Sequence, residues 1–162
     1  MSIIIKPMES RTEIEGKAYV HYKSWQETYV GLIDEGYLAN MTYERCLAIA
    51  EKFPDGLLVA MDGERVVGFV GYGAYRDGSM PGCGEVYAIY LLAEYQGRKI
   101  GYELMKAACE KLADYPKIAL WVLKGNRRAI DFYTRYGFVA DGCEVDVKLG
   151  SMNKEIRMIY TR

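Results

Sequence analysis

The stretch with the clearest chemical character is Gln96-Gly97-Arg98-Lys99-Ile100-Gly101. It follows an apolar and aromatic run, Val86–Leu92, of the length of a buried strand. It precedes a segment in which Leu104, Ala107, Ala108, Lys111 and Leu112 recur at helical spacing. The pattern is a strand, a tight turn and a long helix. The first N–H groups of a helix have no partner within it, and the helix dipole adds partial positive charge there. An anion, most naturally a phosphate, suits such a turn. The same residues also suit a plain connector whose two glycines only allow tight packing.

Other groups able to do chemistry are few. Glu85 stands just before the apolar run, and strand alternation puts Glu85 and Tyr87 on one face. Glu85 reads as a base, acting directly or through water, or as an exposed strand-end carboxylate. His21 has a suitable ordinary pKa, but it falls on the apolar side of a helix and reads first as a structural histidine. Cys46, Cys83, Cys109 and Cys143 are far apart, with no CxxC pair and one histidine in the chain, so no metal centre is expected. Four free thiols in a reducing compartment is the expectation.

The elements that must position these groups can be read in order. Ile3–Lys6 is a short strand stopped by Pro7. Ser10 and Glu13 form a capping-box pattern for a helix running to about Tyr29, with Ile14, Ala18, His21, Trp25 and Tyr29 on one face. Gly31 ends it. A helical region with Ile33, Tyr37 and Leu38 follows, then Thr42 caps Tyr43–Lys52. Leu57–Met61 and Arg65–Tyr75 are strands joined at Asp62-Gly63, and Gly68, Gly71 and Gly73 predict a bend in the second. Arg76–Gly84 reads as a loop. After the organising helix come strand Ile118–Leu123, helix Arg127–Tyr136 closed by Gly137, and final strands Phe138–Cys143 and Ile156–Tyr160, with Gly150-Ser151-Met152-Asn153 in the loop between strand-like Glu144–Leu149 and the last strand. The order β-α-α-β-β-β-α-β-α-β-β predicts an α/β fold, a mixed sheet with helices on its faces.

A chain of 162 residues is the size of one domain, here 1–162, with a proper core. A net charge of −1 gives no reason to expect a nucleic acid or an anionic membrane as partner. The segment Met1–Lys6 is too short for a signal peptide, and no run approaches ~20 apolar residues. A cytoplasmic protein is expected. The 15 tyrosines are an excess that suits pocket walls or an interface as well as a core.

Tyr95-Gln96-Gly97-Arg98-Lys99-Ile100-Gly101 looks like the pyrophosphate motif Q/R-x-x-G-x-G/A of the GNAT superfamily of N-acetyltransferases. Asn126, Ala129, Phe132-Tyr133 and Gly137-Phe138 resemble its second signature, and the likeness runs from about Leu57 to Phe138. Trp25-Gln26-Glu27-Thr28-Tyr29-Val30-Gly31 resembles the first-helix segment of small bacterial members. Two positions depart from the pattern. Lys99 replaces the usual glycine, where its side chain either hinders approach to the pyrophosphate or adds a charge to it. Ala93 stands where proline is frequent.

The resemblance implies a GNAT-like fold and acetyl-CoA as acyl donor. It implies pyrophosphate contacts from Gln96, Gly97, Arg98, Lys99, Ile100 and Gly101, and a pantetheine arm alongside Ile89, Leu91 and Leu92. It assigns Asn126 to the cofactor and Tyr133 to protonation of the leaving thiolate. It places Trp25 and Tyr29 on the acceptor side, near Tyr72, Tyr75, Tyr87 and Tyr90, an aromatic surface able to hold an amine cation. Trp25 and Tyr29 equally read as core. A backbone N–H near Leu91 or Leu92 would stabilise the carbonyl oxygen. The expected acceptor is a primary amine of a small molecule or peptide, and a homodimer is common in the family. A non-catalytic acyl-CoA-binding module is the competing reading, and Tyr133 speaks against it. A generic mononucleotide binder lacks its phosphate loop here.

Overall fold

The computed structural model describes residues 2–162, so Met1 of the N-terminal segment lies outside the described residues. Its elements are β1 (Ile3–Pro7), α1 (Arg11–Thr28), α2 (Glu35–Ala39), α3 (Tyr43–Lys52), β2 (Leu57–Asp62), β3 (Arg65–Ala74), β4 (Cys83–Leu91), α4 (Ile100–Lys111), β5 (Lys117–Leu123), α5 (Arg127–Tyr136), β6 (Val139–Leu149) and β7 (Ser151–Thr161). Seven strands form one sheet in the order β1-β2-β3-β4-β5-β7-β6. The β4–β5 pair is parallel and the other pairs are antiparallel. The expected mixed sheet flanked by helices is what forms.

Local signals explain most boundaries. The Ser10 hydroxyl accepts from the Glu13 N–H at 3.1 Å, and the Glu13 carboxylate accepts from the Ser10 N–H at 3.2 Å, which fixes the start of α1. In α4, Leu104, Met105 and Ala108 are fully buried and join Val59, Val67 and Val70 of the sheet in the main core. Each large apolar side chain buried this way is worth about 1.5–3 kcal/mol.

Two parts of the sequence reading need correction. The Thr42-capped helix forms over Tyr43–Lys52 as expected, but the helical region before it is a separate short helix, α2, so three helices precede β2 where the element order counted two. The final connection is shorter than expected. Leu149 pairs with Ser151 around Gly150, and Ser151–Asn153 belong to β7. Gly150 takes a φ of +81°, open to glycine, and an added Cβ there would lie 2.5 Å from the Asp34 side chain. The exposed, polar start of β7 carries no apolar alternation, so it reads as a loop.

The sheet opens at its centre. Hydrogen-bonded register between β4 and β5 runs only from Cys83–Lys117 to Glu85–Ala119. On the other side, β4 stays paired to β3 through Leu91, with a register slip between Gly71 and Tyr72 that leaves Tyr87 as the extra residue. Such a bulge bends its strand and raises its twist. It lies in the glycine-rich part of β3 where a bend is predicted, and it accompanies the departure of β4 from β5.

The turn after β4 is tight. A 3-10 turn, Ala93–Tyr95, leads into Gly97 at φ +80° and Lys99 at φ +64°. Lys99 is the N-cap of α4 and, among the described residues, the non-glycine with positive φ. A side chain in that conformation costs roughly 1–2 kcal/mol.

Two stability predictions follow from this packing. A Cβ at Gly16 of α1 would lie 2.7–2.9 Å from Val66, whose side chain is buried in β3. Gly16→Ala should therefore destabilise by about 1 kcal/mol net, overpacking outweighing the helix-propensity gain. A raised urea midpoint would contradict the seating of α1. Lys99→Gly should be more stable than Lys99→Ala by ~1 kcal/mol, the reverse of their order inside a helix. Thermal melts of the two variants decide it.

Candidate active site

The start of α4 presents unpartnered main-chain donors. Its first internal bond runs from the Glu103 N–H to the Lys99 carbonyl at 3.1 Å, leaving the amides of Ile100, Gly101 and Tyr102 ahead of it, and no side chain caps this end. The Ile100 side chain is buried and anchors the helix start, while Gly97, Arg98 and Lys99 are exposed. The Arg98 guanidinium lies 5.3 Å from the Tyr95 ring centre. The Gln96 amide donates to the Leu91 carbonyl at 3.2 Å, and its Oε1 is buried with no partner. Gly101 faces Phe132 of α5, and a Cβ added there would lie 3.4 Å from the ring, in ordinary contact. Ile3, Ile5, Arg98, Lys99, Ile100 and Glu103 line a shallow cleft beside this end. Free amides flanked by Arg98 and Lys99 fit a diphosphate.

The open side of β4 supplies a second set of backbone groups. The Leu92 N–H bonds to the Val67 carbonyl at 3.0 Å, so it is spent on β3. Antiparallel alternation then turns the amides of Ile89 and Leu91 toward the gap left by β5. Of the two amides considered for a carbonyl oxygen, Leu91's faces the gap.

Three tyrosines converge near this gap. The Tyr29 and Tyr90 hydroxyls hydrogen-bond at 2.9 Å. Tyr133, on α5, is half-buried against Phe132 and Phe138, with ring centres 5.5 and 6.1 Å away. Burial, and then the Tyr29 phenol, hold the Tyr133 pKa well above the usual tyrosine value, so the phenol keeps its proton. Tyr90 is shifted upward likewise, by burial first and then by Tyr29. Trp25 packs edge-on against Tyr29 at 4.8 Å, and its Nε1 is buried without a partner. Asn126 is buried at the N-cap of α5, its Oδ1 accepting from the Ala129 N–H at 3.2 Å.

His21 lies in an aromatic nest with Trp25, Phe69 and Tyr90, ring centres 5.9–6.0 Å apart. Burial, and then the charge of Lys17, push its pKa down to about 4. It is neutral at pH 7 and a poor base for an alkylammonium. Its Nδ1 is buried without a partner.

Glu85 is not an exposed strand-end carboxylate. It is fully buried and accepts four hydrogen bonds from Arg76: from its backbone N–H at 3.0 Å, from Nε at 3.1 and 3.2 Å, and from Nη2 at 2.6 Å. Burial works against the Arg76 guanidinium, but Glu85's hydrogen bonds and charge outweigh it and raise its pKa. This carboxylate is thereby engaged at the point where β4 and β5 part. Tyr87, in the bulge, breaks the strict alternation assumed from sequence. It is half-exposed, and its hydroxyl donates to the Ala74 carbonyl.

The structure adds residues that the sequence reading passed over. The Arg76 and Arg157 guanidiniums lie 5.2 and 5.7 Å from the Trp121 ring centre. The Trp121 Nε1 is buried without a partner. Arg157 donates to Asp141 at 2.7 Å and to the Tyr75 hydroxyl at 3.2 Å. Glu155, opposite Leu123, shares this face of the sheet. Extending the last strand back to Ser151 would have revealed the alternation of Asn153, Glu155 and Arg157.

The anion cradle at the start of α4, the free edge of β4 and the protonated phenol on α5 form a set suited to a long acyl carrier ending at a thioester. Comparisons with known proteins agree. Residues 17–138 match the model of the acetyltransferase (GNAT) family. The chain is 33% identical over 131 residues to the uncharacterized N-acetyltransferase YuaI of Bacillus subtilis, covering 76% of this chain and 73% of that protein. A mycothiol acetyltransferase of Acidimicrobium ferrooxidans is 37% identical over 98 residues, which are 59% of this chain and 31% of that longer protein. Among solved structures, PaiA N-acetyltransferase from Thermoplasma acidophilum in complex with coenzyme A superposes with a TM-score of 0.76 at 23% identity, over 100% of both chains. The chain therefore belongs to the GNAT acetyltransferase family and is an N-acetyltransferase.

Proposed function

We propose that this enzyme moves the acetyl group of acetyl-CoA directly to a primary amine of a small molecule or peptide. The observation that carries the reading is the meeting of the protonated Tyr133 phenol with the Tyr29–Tyr90 pair beside the open edge of β4. Acetyl-CoA supplies an activated thioester. The amides from Arg98 to Gly101, with the turn at Gln96-Gly97 and the charge of Lys99, hold the diphosphate. Ile89 and Leu91 offer the strand edge to the pantetheine arm as an added strand would be held. The Leu91 N–H points at the place where charge develops on the carbonyl oxygen. Asn126 fixes the start of α5 and so the position of Tyr133. Trp25 and Tyr29 form the acceptor wall, and Tyr87 lies further out on the same strand as Tyr90.

Tyr133 protonates the departing sulfur, so that a thiol leaves rather than a thiolate. Tyr133→Phe should lower kcat by about 10²-fold or more, with the KM for acetyl-CoA and the Kd for CoA within about threefold of wild type. A thiol-release assay on an amine panel, with calorimetry for CoA, checks both. Equal losses in turnover and CoA binding would reduce Tyr133 to a packing residue. Stoichiometric CoA binding without turnover on any amine would favour a binding module.

A further inference from the structure

With Glu85 clamped by Arg76 and His21 held neutral, acetyl transfer still needs a group to take the proton of the acceptor ammonium. An alkylamine with a pKa of ~10.4 is almost wholly charged at pH 7. The register of β7 shows where such a group stands. Asn153, Glu155 and Arg157 alternate onto one face. Asn153 donates to the Leu32 carbonyl at 3.0 Å, on the segment after α1. Arg157 reaches Tyr75 and Trp121. Glu155, between them, is paired across the sheet with Leu123, which packs with Trp25, Tyr29 and Leu32 at the end of α1. Tyr29 is close enough for the Glu155 charge to act on its phenol. Glu155 is half-buried, and among the described residues it forms no hydrogen bond or ion pair.

We propose that Glu155 is the acceptor-side base: its carboxylate binds the acceptor ammonium against Tyr29 and Trp25 and removes one proton from it. The proposal rests on the acetyl-transfer reading above. In the step, Glu155 becomes a carboxylic acid and the nitrogen a free amine. The N–C bond forms and the C–S bond breaks, and the departing sulfur takes the Tyr133 proton. The proton then lost from the new amide nitrogen restores the Tyr133 phenol, and Glu155 releases its own to solvent. One acetyl group moves and one proton is released.

The surroundings suit the role. Burial raises the Glu155 pKa, the charge of Arg76 opposes that, and the charge of Glu85 adds to it. The result is a more basic carboxylate than an exposed one. The charged and titratable groups around it are Arg76 and Glu85 from the β3–β4 side, Tyr29 from α1, and Arg157 with its Asp141 partner from β7 and β6. Arg76 and Arg157 are each already paired to a carboxylate, which leaves Glu155 for a ligand cation.

The test is the pH profile of kcat/KM for the fastest acceptor among ethylamine, benzylamine, spermidine and a peptide with a free N-terminus. Wild type should show an acid limb, activity rising with pH as Glu155 loses its proton. Glu155→Gln should lose that limb and about 10²-fold in rate at pH 7. It should recover most of the loss near pH 10, where the alkylammonium loses its proton to water unaided, with the Kd for CoA unchanged. Glu155→Asp should retain part of the neutral-pH rate. An unchanged profile, or a loss equal at every pH, would overturn the assignment while leaving acetyl transfer intact. Absence of wild-type turnover with all four acceptors would overturn the acetyl-transfer reading itself, and this assignment with it.

Discussion

The parting of β4 from β5 after Glu85 is the constraint on which the rest depends. A parallel pair that stayed bonded to its end would satisfy the outer backbone groups of Ile89 and Leu91 within the sheet. Here the pairing stops after three residue pairs, from Cys83–Lys117 to Glu85–Ala119. Unpaired backbone polar groups are costly when buried, so the edge must stay solvated or be completed by an extended ligand. The same opening lets Tyr133 from α5 approach the Tyr29–Tyr90 pair. The far end of the gap leads to the uncapped start of α4. One local failure of pairing thus creates both the groove and its polar lining.

The Arg76–Glu85 pair stands at the apex of that opening. Taking a carboxylate fully out of water costs several kcal/mol unless its lone pairs are satisfied, and Arg76 satisfies them with four hydrogen bonds. The pair ties the segment after β3 to β4 at the last residue still bonded to β5. Removing the arginine alone would strand a buried charge there, which is why the carboxylate reads as part of the frame rather than as a free base. Among the described residues, Glu155 is a carboxylate on this face without an ion pair, two strands away from β4 on β7.

Much of this was legible in the sequence, for reasons that are local. The Ser10–Glu13 box, Asn126 as a cap and Gly137 as a helix stop act within a few residues, so spacing reveals them. The turn from Gln96 to Gly101 declares itself because an anion site needs consecutive backbone groups. What sequence reading missed is long-range. Arg76 lies in the expected loop between β3 and β4, and its partner Glu85 is nine residues on, at the far end of that loop. Trp121, Glu155 and Arg157 meet only because β7 inserts between β5 and β6. That insertion cannot be inferred from order along the chain. Lys99 shows the reverse case. The motif calls for glycine, and the backbone keeps the left-handed conformation although a side chain is present. Turn geometry there outranks residue preference.

The most direct measurement of the central claim is an amide-resolved NMR titration of the protein with CoA. Saturating ligand should shift the amides of Ile89 and Leu91 on the open edge, together with those from Gly97 to Gly101, while Leu92, bonded to Val67, moves little. Saturation that left the edge and the turn unmoved, with shifts gathered on another face of the sheet, would contradict it.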